Sequence, residues 1–148
     1  MKIAVGNDHA GLRLKEELLE VLRELGCSVQ DCGTYEAKSC DYADYAEQVC
    51  RLVVSDEVDR GLLICGTGIG MSIAANKING VRAALVGDLF SARATRAHNN
   101  SNVLCLGSRV VGGGLASEIL KIWLTEGFEG GRHQRRINKV MNLENGAE

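Results

Sequence analysis

Two rhythms alternate along the 148 residues. Short apolar runs are separated by longer stretches in which apolar residues recur every three or four positions. Residues 2–6 (KIAVG) predict a first strand. Over 12–25, Leu14, Leu18, Val21, Leu22 and Leu25 form a stripe at helical spacing, and Gly26 stops it. Residues 28–32 read as a weaker strand, polar enough for a sheet edge, and 44–55 as a second helix. The run 61–65 (GLLIC) is apolar almost throughout, the pattern of a strand buried on both faces. After it come a helix at about 70–77, a strand at 82–86, a helix at 89–97, a strand at 102–106 and a helix at 115–124. An amphipathic helix at 132–143 closes the chain. Five strands, each followed by a helix, predict an α/β sandwich whose parallel sheet is covered on both faces. The length, the absence of proline and the lack of a Ser/Gly-rich linker predict one domain over 1–148.

In open α/β sheets, ligands bind beyond the carboxyl ends of the strands. Those ends carry Asn7-Asp8-His9, then Cys65-Gly66-Thr67-Gly68-Ile69-Gly70, Gly87-Asp88 and Gly107-Ser108-Arg109. His98-Asn99-Asn100 precedes the fifth strand, which places it on the opposite edge of the sheet. A second subunit could bring it to the others.

The glycine loop falls where a buried strand turns into a helix. Glycines there let backbone N–H groups approach an anion, and the helix N-terminus adds positive potential. No Lys-Ser/Thr follows, so the loop is not a Walker A, and Met71 stands where a dinucleotide fingerprint needs its third glycine. Asp88, about 20 residues on, keeps a nucleotide reading open. The distinctive feature is the thiol: donors at a helix N-terminus favour a nucleophilic, basic thiolate over an inert buried thiol. The same donors would stabilise an oxyanion forming beside it.

Composition narrows the field. A net charge of −2 gives no general pull toward nucleic acid or an anionic membrane, so any anion site must be local. No apolar run approaches the roughly 18 residues of a membrane span. Six cysteines contain no C-x-x-C pair and no Cys/His cluster at zinc-finger spacing. With no signal-peptide pattern after Met1-Lys2, the expectation is a cytoplasmic protein with reduced thiols. Three polar groups keep two readings each. Asp8 with His9 suits either work on a sugar hydroxyl or helix capping. His98 suits an acid/base or a C-terminal cap. Arg132 and Arg136, four apart, suit either a phosphate or a solvated basic face.

In order and spacing, four blocks resemble the type B ribose-5-phosphate isomerase family, which includes galactose- and allose-6-phosphate isomerases. They are Gly6–Gly11 (GNDHAG), Cys65–Gly70 continuing to Lys77, His98-Asn99 through Gly112, and Gly130-Gly131-Arg132-His133. The resemblance covers nearly the whole chain. It implies a Rossmann-like α/β/α sandwich with strand order 2-1-3-5-4, assembled as a homodimer or dimer of dimers with active sites at the subunit interface. The implied reaction is aldose–ketose isomerisation of a sugar phosphate, most simply ribose 5-phosphate to ribulose 5-phosphate, with no cofactor and no metal. By the same resemblance Cys65 is the base, and His98 of the neighbouring subunit opens the sugar ring with Asp8 and Thr67 assisting. Backbone N–H groups of Gly66, Thr67, Gly68, Ile69 and Gly70 hold the enediolate. His9, Arg132 and Arg136 hold phosphate, Arg109 and Asn99 bind sugar or phosphate oxygens, and Tyr42 lines the pocket. Met71 stands where one branch of the family carries a Glu base, which implies the Cys branch. Six-carbon and five-carbon sugars would be told apart by the loop 33–42.

Overall fold

The computed structural model describes residues 1–146. Five strands, β1 (Lys2–Asn7), β2 (Ser28–Asp31), β3 (Arg60–Cys65), β4 (Ala83–Leu85) and β5 (Val103–Gly107), form one sheet in the order β2-β1-β3-β5-β4. Every neighbouring pair is parallel. The helices are α1 (Leu12–Glu24), α2 (Tyr42–Val54), α3 (Ile69–Ala75), α4 (Leu89–Asn99), α5 (Gly113–Thr125) and α6 (Arg132–Asn142). The expected elements and strand order are all present.

Alternation along the strands decides which helices cover which face. Ile3, Val5, Leu62, Ile64, Leu104 and Leu106 point to one side. There they meet Leu14, Leu18 and Leu22 of α1, Ala92 of α4, and Ile119, Leu120 and Trp123 of α5. Ala4, Leu63, Cys65, Val103 and Cys105 point to the other, against Ala46, Val49, Cys50 and Val53 of α2 and Met71 and Ala75 of α3. Cys65 therefore faces the α2/α3 side. Trp123 is fully buried; its indole N–H donates to Ser101 Oγ at 2.8 Å, and the Arg60 guanidinium lies over its ring.

Most boundaries differ from the hydrophobic pattern by one or two residues, and three of the differences matter here. The second helix begins at Tyr42 rather than Asp44, because Asp41 holds the extended backbone that lets a helix start. The fourth runs on through Asn99, so His98 lies in its last turn; it stops where Asn100 turns left-handed at φ 46°. The last helix ends at Asn142, and Leu143 belongs to a 3-10 turn.

Candidate active site

The chain leaves β1 for β2 on one side and reaches β3 on the other, so the connections diverge between β1 and β3. At that divergence the Asp8 N–H donates to Ile64 O across the gap at 3.2 Å. Asp8 is buried, and its Oδ1 accepts from the N–H groups of Ala10 and Gly11 at 2.9 and 3.1 Å. The capping reading of Asp8 is therefore realised, on one carboxylate oxygen. His9 accepts from the Cys40 N–H at Nδ1, 3.3 Å away, which ties the loop 33–42 to the end of β1.

The glycine loop folds back over its own cysteine. Gly68 takes the left-handed conformation at φ 77° and begins α3, and its N–H donates to Cys65 Sγ at 3.1 Å. A side chain at Gly68 would be strained and would run into Leu85. Thr67 Oγ1 accepts from the Ile69 N–H at 3.3 Å. The following strand end locks the loop: Ser108 and Arg109 donate their N–H groups to Cys65 O and Gly66 O, both at 2.9 Å. The Arg109 side chain passes over Gly66, and the Tyr42 ring lies against Gly70, within 3 Å of where a Cβ would stand. Asp8, His9, Tyr42, Cys65, Gly66, Thr67, Gly68, Ile69, Gly70 and Arg109 thus share one end of the sheet. The glycines are required by close approach at Tyr42 and by handedness at Gly68.

The other predicted residues lie elsewhere. His98 ends α4, which runs back against the strands. Just beyond it, Asn102 O accepts from the N–H of Gly61 at the start of β3. The five residue steps of β3 alone span about 16 Å, so His98 and Cys65 do not meet within one chain. His98, Asn99, His133, Arg136, Ile137 and Val140 line a recess of about 280 Å³. The imidazoles of His98 and His133 stack, centroids 4.4 Å apart and planes 9° from parallel. Glu129 reaches both: its carboxylate is 3.3 Å from His133 Nε2 and 3.9 Å from His98 Nε2. Arg132 Nε lies 3.4 Å from the same His133 nitrogen. Among the described residues, the His98 side chain caps no carbonyl of its helix, so that alternative falls away. Burial first, then the neighbouring His98 and Arg132, hold His133 below the ordinary histidine range, against the opposing pull of Glu129.

His98, Glu129 and His133 have possible ligand atoms within 4.8 Å of one another. Imidazole binds a metal through a lone pair in its ring plane at about 2.0–2.1 Å. Near-parallel rings aim those lone pairs side by side instead of at one point, so the trio as arranged is not a metal cradle. The nucleotide reading loses its acid as well. Asp88 is committed to capping α4, accepting from the Ser91 N–H at 2.8 Å and Ser91 Oγ at 2.7 Å. A concavity of about 580 Å³ lies along β2 and α2 and is lined by Gln30, Cys32, Gln48 and Arg51 among others, remote from this chemistry.

His133 and Glu129 are the residues the sequence reading left without a role. His133 precedes Ile137 by four on the buried face of α6, so helical spacing alone would have turned it inward. Nothing in the sequence places Glu129 between two histidines. No helix among the described residues is long and apolar enough to cross a membrane.

Comparison with known proteins supplies the family. Residues 3–140 match the model of the family described as Ribose/Galactose Isomerase. Ribose-5-phosphate isomerase B of Escherichia coli is 50% identical over 143 residues, covering 97% of this chain and 96% of that one. The structure of ribose-5-phosphate isomerase B from Clostridium thermocellum superposes with a TM-score of 0.96 at 48% identity, over 98% of each chain. That of the Mycoplasma genitalium enzyme with bound ribulose-5-phosphate gives 0.93 at 42% identity, covering 99% of this chain and 97% of that one. The chain belongs to the ribose/galactose isomerase family.

Proposed function

We propose that this protein interconverts ribose 5-phosphate and ribulose 5-phosphate, without a metal, in the cytoplasm, at sites built from two copies of the chain. The observation that carries the reading is Cys65, a buried sulfur that accepts the Gly68 N–H where a strand becomes a helix, inside a family of isomerases. His98 protonates the furanose ring oxygen as the C1–O bond breaks, and Asp8, helped by Thr67, takes the proton of the anomeric hydroxyl. Cys65 as thiolate then removes the C2 proton, and the charge passes to O1 as an enediolate facing the N–H groups of Gly66–Gly70. A proton moves between O2 and O1, and Cys65 returns its own proton to C1. His9, Arg132 and Arg136 take the phosphate, Arg109 and Asn99 take sugar or phosphate oxygens, and Tyr42 closes one wall.

Apolar exposure supports the second copy. Ile69 and Ile73 stand more than half exposed on one face of α3, with Leu85, Leu89 and the 80% exposed Phe90 nearby. Val140 and Leu143 are exposed at the end of α6. Clusters of this kind mark association surfaces. The proposed two-fold axis lays α6 of one subunit beside α3 of the other, an arrangement chosen to bring the recess at His98 to the loop at Cys65.

The test is ketose formation from ribose, allose and galactose phosphates, each with and without a chelator. Turnover of ribose 5-phosphate unaffected by chelation is the expected result. Activity on a six-carbon sugar alone would move the substrate, and loss on chelation would remove the metal-free mechanism.

A further inference from the structure

The pairing of His98 with His133 has a further consequence, which rests on the reading of His98 as the ring-opening acid. We propose that His133 is a positioning residue for that acid: it fixes the plane of the His98 imidazole by stacking on it, and Glu129 neutralises the charge the pair carries.

Three observations converge. The rings are 4.4 Å apart and nearly parallel, which leaves His98 one plane in which to present a nitrogen to a sugar. His133 is buried and held by α6, whereas the His98 side chain is 43% exposed and lines the recess. Two imidazolium ions at this spacing repel, so the stack does not favour two protons at once. The charged and titratable groups facing His133 are His98 from α4, Glu129 from the segment before α6, and Arg132 and Arg136 on α6 itself. Three of these are cationic when charged and disfavour a proton on His133; the one carboxylate lies at the edge shared by both rings. Of the two rings, His98 is the more exposed to the recess. In this role His133 acts on the substrate through its neighbour.

The two half-reactions separate this role from a structural one. Ribose 5-phosphate is mostly a closed furanose and needs the acid. Ribulose 5-phosphate, with its C5 oxygen phosphorylated, cannot close such a ring. Exchange of its C1 proton for solvent deuterium needs only the base. The probes are therefore ketose formation from ribose 5-phosphate across pH, and deuterium uptake into ribulose 5-phosphate followed by NMR.

His133→Ala is expected to lower aldose turnover about 10- to 100-fold, the usual effect of a misplaced group. Deuterium uptake should stay within about twofold. His133→Phe, which keeps a flat ring against His98, should recover most of the aldose turnover. Glu129→Gln, at an exposed position, should move the acid limb of the pH profile while leaving uptake unchanged. An unaltered aldose rate and pH profile in these variants overturns the proposal. Uptake falling in step with turnover also overturns it, since His133 would then serve folding or phosphate binding. Wild-type protein that neither isomerises nor exchanges, or a His98→Asn variant with full activity, removes the underlying reading instead and is recognised as such.

Discussion

Cys65 ends β3 and Cys105 lies in the middle of the neighbouring β5, two residues apart in register, where Cys65 pairs with Gly107 and Cys105 with Leu63. Both face α2 and α3, yet only one meets a turn of backbone donors. Cys105 is wholly buried among apolar groups, and burial pushes its thiol far up; Cys50, on α2, is pushed up to about 12 for the same reason. Cys65→Ala should therefore lose about 10²–10⁴-fold in kcat, the contribution of a general base. Cys105→Ala, measured in the same ketose assay, should be nearly silent. Near-wild-type turnover in the first variant would contradict the assignment. The buried thiols predict a stability profile as well. An unfolded cysteine ionises near about 8.5. Above that pH the unfolded chain gives up a proton that folded Cys50 retains until about 12. The contribution is complete below pH 8.5 and is lost as pH rises toward 12. Urea midpoints should fall across this window, and fall less in Cys50→Ala.

Elements carry the site as much as residues do. Lys15 of α1 is fully buried. Its ammonium lies 3.2 Å from Asp31 Oδ2, donates to Thr34 O at 3.0 Å and sits 3.7 Å over the Tyr35 ring. This one side chain ties α1 to the end of β2 and to the loop proposed to set pocket depth. Lys15→Met leaves Asp31 without its cation, with only the Gly33 N–H and Tyr35 hydroxyl donating to it, and should cost about 3 kcal/mol by chemical denaturation. Trp123→Ala, which empties the core against the last turn of α5, should cost about 3–5 kcal/mol while leaving the loop at Cys65 in place. The sequence made the strands and helices readable because core periodicity is strong in each: GLLIC has one interpretation in a parallel sheet, and the stripe of α1 has one face. The glycine loop was legible because Gly68 and Gly70 answer local demands of handedness and space. Lys15 was not, since its partners lie 16 and 19 residues away, at the end of β2 and in the loop that follows it. Glu129 escaped for the same reason: its role exists only once α4 and α6 have packed.

At the scale of the molecule, the two ends of the sheet present the two sets of groups from which the proposed site is built. One has a thiol, a ring of backbone donors and Arg109; the other has His98, Arg132 and Arg136. The proposed dimer joins them, and it follows that breaking the interface should abolish activity without unfolding the chain. Ile73→Asp, on the exposed face of α3, should give a folded monomer by sedimentation that is inactive at assay concentration. The shared site is tested most directly by complementation. Cys65→Ala and His98→Asn chains, each inactive alone, are mixed under conditions that exchange subunits. If each site takes Cys65 from one chain and His98 from the other, every mixed dimer holds one site with both residues intact. Random pairing then restores about a quarter of wild-type activity. If both residues of a site come from the same chain, mixing restores nothing, and that result would contradict the account.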